Sequence, residues 1–271
     1  MGLQHRLPAP PLDAMIEKIW DWDMPPQAHR YERVLPQPGA ALIINLAQAE
    51  TRVYADDATR RCTRSAAAVL GGPMLRSQII DTAEQVRVMG VAFRPGGAHA
   101  LCGGDMAAMA GRDIDLHDLF GASAGQLRQR LLETPAPARR LALLESWLRQ
   151  RMRADALHPA VGHALALLRQ PPQAVRIPRV AQAAGLSARR LALLFRRQIG
   201  MTPKHYARLL RFRAVVAQAH EQPTVDWSTL AADCGYCDQA HLSHEFRRFA
   251  GVTPSGFASS RGPYLNHLPL D

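Results

Sequence analysis

Between about residues 10 and 100 the apolar positions come in short runs separated by turn-forming residues. Val34-Leu35, Ala41 to Leu46, Thr51 to Tyr54, Ala67 to Leu70, Gln78 to Ile80 and Val86 to Phe93 are the runs. Pro36 to Gly39, Ala55-Asp56-Asp57, Gly71-Gly72-Pro73 and Arg94-Pro95-Gly96-Gly97 punctuate them. Runs of this length bounded by Gly, Pro and Asp predict strands, and several in succession predict a barrel or sandwich. From about Ala98 the spacing becomes helical. Ser123 to Leu132 and Pro137 to Arg153 are predicted helices. In the second, Leu141, Leu144, Leu148 and Met152 form a stripe at intervals of three and four. A stripe of this kind packs on its own domain or forms a dimer seam. The chain is expected to be a homodimer, with this helix as the candidate seam.

Asp155 to Pro159 is the expected joint. It divides the chain into a sensor or dimerisation domain (1–155) and a DNA-binding domain (156–271). Pro159 to Gln170 is predicted helical and stopped by Pro171-Pro172. After it, one pattern occurs twice. Val180 to Leu186, Leu191, Phe195-Arg196-Arg197 and Gly200-Met201-Thr202-Pro203 form the first copy. Leu230 to Tyr236, Leu242, Phe246-Arg247-Arg248 and Gly251-Val252-Thr253-Pro254 form the second. The offset is 50 residues from Gly185 to Gly235 and 51 from Phe195 to Phe246, so one residue is inserted at the turn. Each copy reads as small-residue helix, glycine turn, basic helix, which is the layout of a helix-turn-helix. Ser187 and Asp238 are predicted N-caps of the second helix in each copy, and Thr202-Pro203 and Thr253-Pro254 each pair a cap with proline at the first helical position. The fold class expected is α+β: a β-rich N-terminal domain with trailing helices, then an all-α domain with two helix-turn-helix motifs.

Charge supports the second half as the partner-binding one. The net charge is +10, with 19 Lys/Arg against 17 Asp/Glu in residues 1–155 and 14 against 6 in residues 156–271. The excess lies with the repeat, and double-stranded DNA is the expected partner. No apolar run approaches the ~18 residues that span a bilayer, and no signal peptide is evident. The four cysteines, Cys62, Cys102, Cys234 and Cys237, fit a reduced cytoplasmic protein.

On the first recognition helix Leu191, Leu194 and Phe195 share the inward face. Arg189, Ala192, Leu193 and Arg196 share the outward one. The Arg189 guanidinium fork suits guanine O6 and N7, and Ala192 and Leu193 can touch a thymine methyl. Arg190, Arg196 and Arg197 are assigned to phosphates, which orient without specifying. On the second helix the corresponding face is Ala240, Ser243, His244 and Arg247, with His241 beside it and Gln239 at the tip, suited to adenine.

These residues resemble the DNA-binding domain of the AraC/XylS family of bacterial transcription regulators, over about Leu157 to Phe257. The residues that carry the resemblance are Ala184 to Leu191, Phe195-Arg196-Arg197, and Gly235-Tyr236-Cys237-Asp238-Gln239-Ala240-His241-Leu242 through Phe246 to Pro254. The resemblance implies seven helices, with a long connector from Pro203 to His220 between the two units. Ala192 and Leu193 depart from it, because polar base-reading residues are common there in the family. Phe93 to Ala98 and Asp115 to Leu119 resemble the family's sensor half. That implies a cupin-like fold used for ligand binding or dimerisation. A small-molecule effector and RNA polymerase are the expected further partners, and activation of transcription is an expectation with the sign of regulation left open.

No catalytic site, cofactor or metal is expected. Cys234 and Cys237 with His241 and His244 imitate a zinc site, but the spacing is too tight for a zinc finger. His99, Cys102 and His117 could converge, and Trp20, Trp22, Tyr31 and Phe93 could line a cavity, but core packing is the simpler expectation for all of them. Two alternatives stay open. One is a DNA-binding domain fused to an alkyl-transfer repair sensor with Cys102 or Cys62 as nucleophile. The other is an architectural DNA binder with no effector.

Overall fold

The computed structural model describes residues 2–55, 58–153, 157–170 and 176–270. The expected turn at Asp56-Asp57, the start of the joint at Asp155 and the helix stop at Pro171-Pro172 lie outside these residues.

The N-terminal half begins with nine strands: β1 (Gly2–Arg6), β2 (Ile16–Asp23), β3 (Tyr31–Val34), β4 (Ala41–Asn45), β5 (Glu50–Tyr54), β6 (Cys62–Ala66), β7 (Ala68–Gly71), β8 (Gln78–Asp81) and β9 (Arg87–Phe93). Helices α1 (Gly97–Cys102) and α2 (Met106–Met109), strand β10 (Asp113–Asp115), and helices α3 (Leu116–Phe120), α4 (Ala122–Glu133) and α5 (Pro137–Arg149) follow. One antiparallel sheet runs β1-β2-β9-β4-β7-β10. Its inward residues, among them Ile19, Leu42, Ile44, Met89 and Val91, share a core with Leu127, Leu131, Leu144 and Leu148 of the trailing helices.

Four strands in this half, β1, β2, β6 and β10, lie outside the predicted runs. In β2 a register shift between Ile16 and Lys18 breaks the period-two pattern. β1 and β6 are edge strands of mostly polar residues, each paired on one side only.

The α5 stripe is a correction. Leu144 and Leu148 are fully buried in the protein's own core and Leu141 nearly so, so this helix has no free apolar face for a second copy. Arg140 of α5, 1% exposed, anchors it to β2. Its Nε and Nη2 donate to Asp21 Oδ2 and Oδ1 at 2.7 and 3.1 Å, and its Nη1 donates to the Thr134 and Pro135 carbonyls.

The C-terminal half holds α6 (Pro159–Leu168), α7 (Ile177–Ala183), α8 (Ala188–Ile199), α9 (Pro203–Glu221), α10 (Trp227–Asp233), α11 (Gln239–Ala250) and α12 (Pro254–Ser260), then strand β11 (His267–Leu270). The 19-residue α9 starts at Pro203 with Thr202 Oγ1 accepting from the His205 N–H at 3.1 Å. It buries Tyr206, Leu209, Phe212, Val215, Val216 and Ala219. Leu210 and Arg213 are half-buried. Burial lowers the Arg213 guanidinium to about 10, with Glu17 of β2 opposing the shift.

β11 also lies outside the predicted runs. It returns to the N-terminal half and pairs antiparallel with β3, at the edge of the second sheet, β11-β3-β8-β5-β6. Leu268 of β11 and Leu35, which follows β3, are buried in the same core as the helices of the C-terminal half. The two halves therefore share side-chain packing and backbone pairing.

Candidate nucleic-acid interface

The repeat folds twice into one shape. α7 ends and Gly185 takes a left-handed φ of 69°; α10 ends and Gly235 takes 75°. In each case the next residue's N–H returns to the preceding helix, Leu186 to the Ala181 carbonyl at 3.0 Å and Tyr236 to Ala231 at 2.9 Å. A side chain would strain both turns, which is why glycine stands there. Ser187 Oγ then accepts from the Arg190 N–H at 3.2 Å, and Asp238 Oδ1 from His241 at 2.7 Å. The cap follows Gly185 by two residues and Gly235 by three, so the inserted residue sits between turn and cap.

On α8, Leu191, Phe195, Gln198 and Ile199 are buried. Arg189, Arg190, Arg196 and Arg197 are exposed, and Ala192 is half-buried. Leu193 is 55% exposed, an apolar side chain presented to solvent in the middle of a basic face. Leu194, expected inward, is half-buried. On α11, Leu242, Glu245, Phe246 and Phe249 are buried, while Gln239, Ala240, His244, Arg247 and Arg248 are exposed and Ser243 half-buried. Gln239 Oε1 accepts from Ser228 Oγ of α10 at 3.0 Å. His241 is turned partly inward. Its ring lies edge-on to Tyr236 at 5.3 Å, and its Nε2 is 3.9 Å from Glu245 Oε2.

Glu245 is the functional residue that periodicity missed. It sits on the inward face of α11 at 3% side-chain exposure. Arg208 Nε of α9 donates to its Oε2 at 2.7 Å, and Arg211 Nη2 and the Tyr236 hydroxyl reach its Oε1 at 3.4 Å. Burial, then the charge of Glu245, push the Tyr236 phenol far above its ordinary range, so it stays a donor. Arg211 also donates to the Gly235 carbonyl at 3.1 Å. One buried carboxylate thus ties connector, turn and second recognition helix together. A Glu on an otherwise apolar helix face, four residues after His241, was the available signal.

The rejected constellations fall apart in space. Cys234 is buried before its turn, its thiol pushed up by burial, while Cys237 is exposed. His99 Nδ1 lies 2.9 Å from the Gly104 carbonyl, and His117 is exposed on α3. Burial raises the Cys102 thiol as well, the opposite of what a nucleophilic thiolate needs. Among the described residues no group of three or more His, Cys, Asp or Glu could hold a metal ion. Phe93 is core, Trp20 lies across Gly90, Trp22 packs edge-on to Tyr264 at 5.8 Å, and Tyr31 on Tyr54 at 5.6 Å.

Two family models match the chain. A helix-turn-helix domain covers residues 180–260, and a domain of unknown function, DUF6597, covers residues 4–115. The first model spans both copies of the repeat, and the second spans most of the β-rich half.

Solved structures similar to this chain include an AraC-type transcriptional regulator from Chromobacterium violaceum, at 22% identity over 39% of this chain and 94% of that one, TM-score 0.36. The C-terminal domain of AraT from Geobacillus stearothermophilus is 20% identical over 40% and 92%, TM-score 0.37. ToxT from Vibrio cholerae is 8% identical over 96% and 98%, TM-score 0.47. No curated protein sequence matches the chain. Among the described residues no helix is long and apolar enough to cross a membrane.

Proposed function

We propose that this chain is an AraC-type transcription regulator that reads one DNA site with two helix-turn-helix units, α7–α8 and α10–α11. The observation that carries the reading is the pair of exposed faces at repeat-equivalent positions. Arg189, Leu193 and Arg196 stand on the first, and Ala240, His244 and Arg247 on the second. Arg189, in the first turn of α8, donates to a guanine edge, and Ala192 and Leu193 meet thymine methyls. Arg190, Arg196, Arg197 and Arg247 take phosphates. Gln239 exchanges its Ser228 partner for an adenine, and Ser243 and His244 complete the second box. His241, engaged with Tyr236 and Glu245, contacts the backbone at most.

The N-terminal residues 1–155, proposed to be cupin-like, serve as the effector-sensing and dimerisation unit, and the bound regulator works through RNA polymerase. Burial of the α5 stripe moves the dimer contact elsewhere on that unit. Selection from a random duplex library with the purified protein, followed by footprinting, tests the reading. Two protected boxes about one helical turn apart support it, and a single short box removes it. A thermal-shift screen of metabolites tests the sensor.

A further inference from the structure

Both recognition helices end on the same loop of the N-terminal half. The residues between β7 and β8, Gly72 to Ser77, touch the C-terminus of α8 at one end and of α11 at the other. At the α11 end the Ser77 N–H donates to the Phe249 carbonyl at 2.8 Å, and Ser77 Oγ donates to the Ala250 carbonyl at 2.9 Å. The last carbonyls of a helix have no partner within it, so these two bonds satisfy acceptors that the helix cannot. Arg33 Nη1 of β3 donates to Ser77 Oγ at 3.0 Å and brings positive charge to the negative end of the α11 dipole. The fit is close, because a methyl on Gly251 would lie 2.5 Å from that guanidinium and 3.2 Å from Ser77 Oγ.

At the α8 end Gly200 occupies the position equivalent to Gly251, with φ 87° against 74°. A methyl there would lie 2.7 Å from Pro73 Cγ and 2.8 Å from the Met106 carbonyl of α2. Pro73 and Ser77 are four residues apart. The loop between them is pinned at both ends. The Gly72 N–H donates to the Arg112 carbonyl at 2.9 Å, and the Gly111 N–H to the Pro73 carbonyl at 3.0 Å. Beyond Ser77 the chain enters β8, which is paired with β3 along its full length.

We propose that Ser77, held by Arg33, and Pro73 are positioning residues for DNA recognition: the Gly72–Ser77 loop is the spacer that sets where α11 stands relative to α8. The inference rests on the two-unit reading above and extends it. α9 joins the same two units through the short segments 200–202 and 222–226, whereas the loop contacts both helix ends directly. Because the loop and β3 belong to the β-rich half, any rearrangement of that half moves the two recognition helices relative to each other. The repeat makes this possible, since duplication gave both helices the same glycine-capped end for one loop to hold.

The test is spacing preference on DNA. A duplex selected by the wild-type full-length chain is rebuilt with its two boxes separated by one base pair more and one less. Each step shifts the second box by about 3.4 Å and turns it by about 35°. The wild type is expected to lose about tenfold in affinity on each displaced site, comparable to one mismatched base pair. Ser77→Ala removes one hydroxyl and Pro73→Ala trims the contact to Gly200. Both are expected to cut the penalty to about threefold or less while leaving the sum of phosphate contacts, read as the salt slope, unchanged. A substitution that merely weakened the fold would lower affinity on all three spacings alike. Variants that keep the tenfold penalty overturn the inference and leave the two-unit reading standing. A wild type with no spacing preference overturns the two-unit reading, and the inference with it.

Discussion

Replacing Glu245 with alanine is the sharpest perturbation of the DNA-reading half that leaves its outer faces untouched. The carboxylate is 3% exposed, while Arg208 and Arg211 retain 22% and 20% side-chain exposure. Removing one member of a fully buried pair costs on the order of 3–5 kcal/mol, because a charge is left without compensation. Here the abandoned charges are two arginines that can still turn toward water, so the loss falls nearer ~2–3 kcal/mol. Glu245→Gln keeps an acceptor for Arg208 and the shape of the site, and should cost about half as much. Urea unfolding of the full-length chain followed by far-UV circular dichroism reads the difference. With a slope of about 2–3 kcal/mol/M, Glu245→Ala lowers the midpoint by roughly 1 M at unchanged slope. A shift under about 0.3 M, or equal effects of alanine and glutamine, would refute the view that one carboxylate ties α9 to α11.

Leu144→Asp and Leu148→Asp should unfold the N-terminal half rather than separate subunits, since both side chains are buried; folded monomers in light scattering would contradict this. Arg189→Ala should weaken the selected site by ~1–3 kcal/mol and relax one guanine, while Arg196→Ala weakens all sequences alike, and identical behaviour on scrambled DNA would dissolve the distinction. If six to eight phosphates are neutralised, log K against log salt should slope near −5 to −7, and a slope shallower than about −2 would exclude an interface of that size. His205 is held below its ordinary value by burial, then by Arg208 and Arg248, with Glu245 opposing. Its unfolded form therefore binds the proton more readily, so stability is full above the unfolded pKa of about 6.5 and falls as pH drops below it, levelling off beneath the depressed folded value. His205→Gln should flatten urea midpoints between roughly pH 7.5 and 5.5, and an unchanged pH profile would argue against it.

The repeat was legible because it is local. Caps at Ser187, Thr202, Asp238 and Thr253, and left-handed glycines at 185, 200, 235 and 251, are chosen by backbone geometry within a few residues. The outward faces of α8 and α11 followed from helical spacing, except that Ala192 and Ser243 are half-buried and His241 is drawn inward by tertiary partners. What stayed hidden was long-range. β11 is four residues with a proline in the middle, and only its pairing with β3 makes it a strand. Arg140 and Glu245 look like surface charges until their partners, Asp21 and Arg208, arrive from distant segments. The α5 stripe has one spacing whether it packs on a sheet or on a second copy, and only the sheet's presence decides.

The length of α9 bears on the shape of the bound DNA. α9, 19 residues long, spans about 28 Å at ~1.5 Å per residue, against about 34 Å between successive major grooves on one face of straight DNA. If α9 sets the separation of the two units, either the DNA curves toward the protein, at an elastic cost on the order of 1–6 kcal/mol that the paired arginine clusters can offset, or α11 engages only phosphates.

Hydroxyl-radical footprinting of the selected site, with wild type beside Arg189→Ala and Gln239→Ala, tests the central claim most directly. If both units read one site, the wild type protects two boxes about one helical turn apart, Arg189→Ala thins one of them, and Gln239→Ala thins the other. A single protected box, or two variants that thin the same box, would contradict it.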